Sequence, residues 1–454
     1  MDEKILKELR LILGNEGVST GQSVRELHSH DESFHTPVLP DVVVFPKNTD
    51  DVSRVVRLAY DNDIPITPWG VGTSLEGNPI PVQKGICMDF QGMDKVLAIR
   101  KEDFQVDVQV GVVYKELNKM LSRYGLFFPP DPGAAATIGG MIGNNASGIR
   151  TVRYGATKDC VMKIKVVLYN GDIIEVGSRA RKSSSGYNLC ALFIGSEGTL
   201  GIVTEATLKL TGLPIGFMAL RAVFTEVIDA TDTVFQVMSS GLTPSAMEFL
   251  DGDVMAVLNK DRGLSLHEKP TLLMEFHGYS DEGLKPELSF VEDICRENRC
   301  IFLDKGIGAA ERTRLWEMRH LTLESIKRSH PGLMPLIMDV AVPLSRYSDM
   351  VGYIKNAVKG LTAYVFGHAG DGNIHVIVMD DPKDRARWSL VEKANEDIVL
   401  KALELEGTCT GEHGVGIGKR HFLRIEHGEG LDMMKKIKDL FDPKGLLNPG
   451  KFFL

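Results

Sequence analysis

Residues 42–67 set the pattern of the first half of the chain. VVVF (42–45) is a short apolar run ending at Pro46, DDVSRVVRLAYDND (50–63) places Val52, Val55, Val56 and Ala59 at helical spacing, and IPIT (64–67) is extended again. The spacing predicts a strand, a helix and a strand, with Asn48 or Thr49 as the helix cap. Strict alternation in VDVQVGV (106–112) predicts another strand. A helix follows in YKELNKMLSRYG, where Tyr114, Leu117, Leu121 and Tyr124 share one face before Gly125 ends it. VVLY and DIIEV flank Asn170-Gly171, a dipeptide suited to a tight hairpin turn.

Beyond Pro214 the pattern becomes long amphipathic helices alternating with apolar strands, among them MALRAVF, PTLLMEFHGYS, AYVFGH and IHVIVMD. That change predicts a second domain on an antiparallel sheet, so the fold class is α+β. The expected organisation is a helical segment over 1–34, a first domain over 35–214, a second over 215–420 and a helical segment over 421–454.

Composition narrows the function classes. At 454 residues the chain exceeds one ordinary core, and 43% hydrophobic with 25% charged residues is the balance of an ordered globular protein. A formal charge of −9 without a basic stripe argues against nucleic acid. The amino terminus, MDEKILKELRLILGNEG, mixes charge through its apolar positions and reads as a surface helix rather than an export signal. The longest uncharged run, Pro132 to Ile149, is glycine, alanine and asparagine, which predicts no membrane span. Six cysteines without a C-x-x-C pair argue against zinc ribbons, iron-sulfur centres and a disulfide framework, which fits a reducing cytoplasm.

Three glycine-rich stretches lie in the first half: PWGVGTSLEGN (68–78), PPDPGAAATIGGMIGNNASGIRTVRYG (129–155) and FIGSEGTLGIVTEATLKL (193–210). The first is neither a Rossmann fingerprint, since Leu75 stands where a third glycine belongs, nor a Walker A loop, since Asn78 follows Gly77. Backbone amides in such turns can still cradle a phosphate, and glycine lets backbone approach a ligand closely.

Together these stretches resemble the FAD-binding domain of the vanillyl-alcohol oxidase superfamily, the PCMH-type fold. The resemblance implies FAD contacts from Pro68, Gly70, Val71, Gly72, Thr73, Ser74, Gly77 and Asn78 in the first loop. In the second it implies Pro132, Thr137, Gly139, Gly140, Gly143, Asn144, Ser147, Gly148, Tyr154 and Gly155. In the third it implies Glu197, Gly198, Gly201, Ile202 and Val203, and near the carboxyl end Asn448. The first two loops contain no histidine or cysteine, so FAD is expected to be held without a covalent bond.

The second half carries GHAGDGNIH (367–375) and GTCTGEHGVGIGKR (407–420). A tight turn between two strands can aim His368 and His375 at one end of a sheet, and Glu412 can add an anionic ligand, leaving positions open for substrate. Ordinary polar side chains at a hairpin are the alternative reading of these residues. The two motifs, with LNPGK (447–451), resemble FAD-dependent D-2-hydroxyacid dehydrogenases, nearest the D-lactate and glycolate group. The resemblance implies one divalent metal, Zn²⁺, Mn²⁺ or Fe²⁺, on His368, His375 and Glu412, with His413 as base. In ERTRLWEMRHLTLE, Arg319 matches the arginine that clamps the substrate carboxylate; a solvated helix arginine is its alternative.

Glu412 and His413 are neighbours, which would point opposite ways on a regular strand, so both can serve only if the backbone turns at Gly411 and Gly414. Relatives acting on D-2-hydroxyglutarate carry a lysine and an asparagine where this chain has Ile337 and Ile377, so a short or apolar substrate tail is expected, D-lactate first. The implied partners are this small 2-hydroxyacid and an electron acceptor such as a quinone, a cytochrome or an electron-transfer flavoprotein. The expected location is cytoplasmic or peripheral to a membrane. Competing readings are a glycolate or D-2-hydroxyglutarate dehydrogenase of the same family, a metal-independent flavin alcohol oxidase, and an electron-transfer subunit without catalysis.

Overall fold

A computed structural model describes residues 1–453 and divides the chain into two compact units. The first comprises Met1–Ser147, Gly155–Leu213 and the chain from Glu412 onward; the second comprises Gly148–Tyr154 and Pro214–Gly411.

In the first unit, Val42–Val44 and Ile66–Trp69 flank Ile86–Asp89, parallel to both, with Val18–Ser19 antiparallel at the edge. Helix Thr49–Asp61 covers this sheet with Val52, Val55, Val56 and Ala59, all buried, and its cap is Asn48, whose side chain accepts from the Asp51 amide. Burying each valine contributes on the order of 1.5–3 kcal/mol. The second sheet is five-stranded and antiparallel, in the order Val96–Arg100, Gln105–Gln109, Ile202–Lys209, Val161–Val167, Ile173–Gly177. The last two form the hairpin turned at Gly171, whose φ is +84°. Helix Tyr114–Leu121 buries Tyr114, Leu117 and Leu121. Tyr124 departs from the expected face, because the chain tightens to a 3₁₀ turn over Ser122–Tyr124 and leaves its ring 51% exposed.

The second unit is built on one antiparallel sheet of seven strands, in the order Cys300–Ile307, Gly216–Phe224, Thr271–Gly278, Ala246–Leu250, Ala363–His368, Asn373–Asp380, Met334–Ala341. Helices Gly252–Arg262 and Ala309–Ser329 pack on one face, with Val254, Leu258, Leu315 and Trp316 against Ala246, Leu250, Leu273, Phe366 and Ile377.

The chain re-enters the first unit at Glu412, not near residue 420, and Gly148–Tyr154 depart from the second glycine-rich stretch to join the second unit. Hydrogen bonds give the reasons. Val415 and Gly416 donate backbone N–H to the Glu197 carboxylate at 2.6 and 3.0 Å, while Arg153 donates to Ser245 Oγ and the His277 carbonyl at 3.0 and 2.9 Å. Among the described residues no helix is long and apolar enough to cross a membrane.

Candidate active site

The first unit contains a cleft with about 720 Å³ of empty space, part of it open to solvent. All three glycine-rich stretches line it: Pro68, Gly70, Ser74 and Asn78, then Thr137, Gly139, Gly140, Gly143 and Asn144, then Glu197, Gly198, Gly201, Ile202 and Val203, with Asn448 from the carboxyl end. Close approach explains two of the glycines. A Cβ on Gly70 would lie 2.6 Å from Thr137 Oγ1, and one on Gly198 2.6 Å from Pro68 Cγ, so any side chain would force the loops apart. Gly140 and Gly143 differ, because a Cβ there would meet protein no nearer than 3.4 and 3.9 Å. Packing does not demand them; a guest in the cleft would.

The Asn78 amide lines the same space, buried, with neither side-chain atom in a hydrogen bond of ordinary geometry. Its Nδ2 side faces the Glu197 carboxylate and lowers its pKa, which leaves the carboxamide oxygen, and a buried acceptor in that state costs on the order of 1–3 kcal/mol unless a ligand satisfies it. The room left by glycine and this waiting amide fit an extended polar cofactor such as FAD. Asn448 closes the cleft by donating Nδ2 to the Glu197 and Asn78 carbonyls at 2.7 and 3.1 Å. Burial pushes the Glu197 carboxyl up, while the Val415 amide, the Asn78 side chain and the Gly416 amide pull it back.

Other residues expected at the cofactor lie off the lining. Gly72 packs on the Trp69 ring, the Gly77 amide donates to Asp31 Oδ2 at 2.8 Å, and Pro132 accepts from Tyr114 Oη at 2.7 Å. Val71 and Thr73 are partly buried, and Gly155 packs on Asp159. Ser147 Oγ donates to Glu412 Oε2 at 3.0 Å. Gly148 and Tyr154 belong to the second unit, with Tyr154 Oη 2.7 Å from His277 Nδ1. Trp69, Phe90, Val110, Ile142, Phe193 and Ser196 do line the cleft, and sequence reasoning missed them because they read as ordinary strand and helix positions.

Also in the first unit, Glu412 and His413 bend, and Gly414 and Gly416 adopt φ of +82° and +50°. The turn brings His413 Nε2 to 3.9 Å from Glu412 Oε1, so the two neighbours do point to one side. Asn144 Nδ2 holds the His413 carbonyl at 3.2 Å.

In the second unit, strand alternation gathers polar groups at one end of the helix-covered face. Glu275 and His277, Glu248, His368, His375 and Asp339 stand on five consecutive strands, with Glu248 paired to His368, Phe366 to His375 and Asp339 to His375. The turn between the histidine strands requires Gly372, at φ +73°, where a Cβ would lie 2.0 Å from the Val342 carbonyl oxygen. The two imidazoles are 5.2 Å apart between centroids and nearly perpendicular, at 88°. His368 Nδ1 lies 2.6 Å from Glu248 Oε1, and Arg319 Nε donates to Glu248 Oε2 at 2.6 Å. Burial pushes the Glu248 carboxyl up, but the His368 and Arg319 charges hold it below the usual range. With Nδ1 turned to a carboxylate, the lone pair of a neutral His368 is on Nε2, which is the arrangement of a metal-ligating imidazole.

Asp339, fully buried, accepts from Asn373 Nδ2 at 2.6 Å, Thr410 Oγ1 at 2.9 Å and the Gly411 amide at 2.7 Å. It ties the segment leading to Glu412 beside the His375 strand. Glu248 and Asp339 carried no motif, yet each is a lone acid on the covered face of an apolar strand, AMEFL and LIMDVA, and that pattern could have found them.

The profile for FAD linked oxidases, C-terminal domain, matches residues 218–452, and the FAD binding domain profile matches residues 40–177. Probable D-lactate dehydrogenase, mitochondrial, of Danio rerio is 40% identical over 455 residues, spanning 99% of this chain and 91% of its own. Glycolate oxidase subunit GlcD of Bacillus subtilis is 36% identical over 456 residues, spanning 99% and 96%. The structure of p-cresol methylhydroxylase superposes with a TM-score of 0.80 at 17% identity, over 99% of this chain and 96% of that one, a likeness of fold alone. The glycine-lined cleft, the two matched profiles and relatives sharing more than a third of their residues end to end lead to one conclusion: this chain belongs to the FAD-linked oxidase family.

Proposed function

We propose that this protein oxidises D-lactate to the 2-oxoacid, with FAD held non-covalently in the first unit and a divalent cation held by His368, His375 and Glu412. The observation that carries this reading is the chain from half-buried Arg319 through buried Glu248 to buried His368, beside His375. It sets a carboxylate-binding guanidinium and two imidazoles on one sheet face. Two relatives that cover nearly the whole chain are named for small 2-hydroxyacids, D-lactate in Danio rerio and glycolate in Bacillus subtilis, which supports the substrate class.

When bound, FAD supplies the hydride acceptor. The cation supplies positive charge that acidifies a hydroxyl, an effect that lowers the pKa of water from about 16 to about 7 in the strongest cases. The terminal nitrogens of Arg319 receive the substrate carboxylate, since its Nε is already committed to Glu248. His413 takes the hydroxyl proton at Nε2, a task matched to a neutral imidazole. Glu412 is reached through Gly411, whose amide Asp339 fixes.

Ile337 and Ile377 form a directly opposed cross-strand pair, one step along the same face from Asp339 and His375. A second carboxylate against them would lack a counter-charge at a cost of several kcal/mol. The test is anaerobic bleaching of the flavin by D-lactate, glycolate and D-2-hydroxyglutarate, before and after chelation. D-Lactate is expected to reduce the flavin fastest, and chelation to abolish reduction while FAD stays bound. Faster reduction by the diacid overturns the substrate assignment, and indifference to chelation favours a metal-independent oxidase.

A further inference from the structure

We propose that Glu248 is a positioning residue that sets, through one carboxylate, which nitrogen of His368 faces a cation and which edge of Arg319 faces the substrate carboxylate. This rests on the function proposed above.

The strand AMEFL turns Ala246, Glu248 and Leu250 toward the covering helices, so Glu248 sits with no exposed surface in an otherwise apolar row. A carboxylate there is costly unless both oxygens are satisfied. Each has one strong partner, His368 Nδ1 on Oε1 and Arg319 Nε on Oε2, both at 2.6 Å. An ionised carboxylate only accepts, so His368 donates to it from Nδ1, and in the neutral imidazole the lone pair is then on Nε2. The same logic commits Nε of Arg319 to Glu248 and leaves the two terminal nitrogens for the substrate carboxylate. The Phe366 ring, 4.9 Å from the guanidinium carbon, fixes the plane.

The sheet holds its own control. Arg312 Nε donates to Glu275 Oε2 at 2.7 Å, and Glu275 Oε1 lies 2.5 Å from His277 Nε2, repeating the arginine, glutamate, histidine order. There, however, His277 Nδ1 lies 2.7 Å from Tyr154 Oη, so a carboxylate and a hydroxyl hold the two ring nitrogens.

The test uses the FAD-loaded full chain and its Glu248→Gln, Glu248→Asp and Glu275→Gln variants. Zn²⁺ and Mn²⁺ affinity is read by chelator competition, with FAD content, and KM and kcat for D-lactate at saturating metal. Glutamine offers one donor and one acceptor and so cannot accept from both partners. In Glu248→Gln, metal affinity should fall about 10–100-fold and KM rise several-fold, with kcat at saturating metal changing less. Glu248→Asp should fall between this variant and the parent, and Glu275→Gln should keep metal affinity within about twofold. Parent-like affinity and KM in Glu248→Gln overturn the proposal. If that variant loses FAD or fails to fold, Glu248→Asp decides, and parent-like values there overturn it too. A parent protein that takes up no metal overturns the metal reading itself together with the His368 half of this one, whereas a metal-binding parent with an indifferent Glu248 overturns Glu248 alone.

Discussion

The two units build their sites from different materials. In the first, the cleft is made by absence: Gly140 and Gly143 leave space, Gly70 and Gly198 let loops touch, and the polar side chains of the lining are mostly hydroxyls and carboxamides, such as Ser74, Thr137, Asn78 and Asn144. In the second, the site is made by presence: charged and imidazole side chains are stacked by strand register and locked through two buried acids, Glu248 and Asp339. A glycine-made site tolerates little added volume, whereas a register-made site tolerates no loss of a single partner.

The largest expected effect removes chemistry without disturbing either frame. His413→Asn should lower kcat about 10²–10⁴-fold while FAD and metal contents hold, as steady-state kinetics beside an absorption spectrum would show. An unchanged kcat would move the base elsewhere. Arg319→Lys tests the register-made site next. It keeps the charge but loses the planar fork, so KM for D-lactate should rise about 10–100-fold with a smaller change in kcat.

The first unit is probed by adding volume. Gly143→Leu puts a side chain where a Cβ meets no protein closer than 3.9 Å, so the fold should survive while FAD affinity drops about tenfold or more, read by flavin release on dialysis. Metal affinity should not follow. If it fell equally, the contrast between the units would fail.

The smallest effect concerns pH. Burial, with a lesser push from the Arg420 charge, lowers the His35 pKa from 6.5 to about 4 in the first unit. Between those values the unfolded chain binds the extra proton, so stability is full above about 6.5 and is lost as pH falls toward 4. After allowance for the ring's partial exposure this amounts to about 1–2 kcal/mol. Hydrogen exchange should show the loss in the first unit, and His35→Asn should flatten it.

Much of this was legible before any coordinates. Helical spacing marked helix Thr49–Asp61, apolar runs marked the strands carrying His368 and His375, and Asn170-Gly171 marked a hairpin. The glycine stretches pointed to a cleft because density of glycine is a local property. The 215–310 region, by contrast, offered no motif, yet it holds Glu248, Glu275 and His277. A lone acid in an apolar strand looks like noise until the strand order sets His368 beside it.

The sequence alone therefore determined which segments are strands and helices, where loops lack side chains, and which residue types were present for metal and carboxylate chemistry. Those are consequences of period, turn propensity and side-chain volume, which act over a few residues. Only the tertiary structure decided that Glu248 joins an arginine 71 positions away to a histidine 120 positions away, and that Glu412 returns to the first unit. Such choices depend on strand pairing and on which buried charge finds a partner, and both are settled by the whole chain at once.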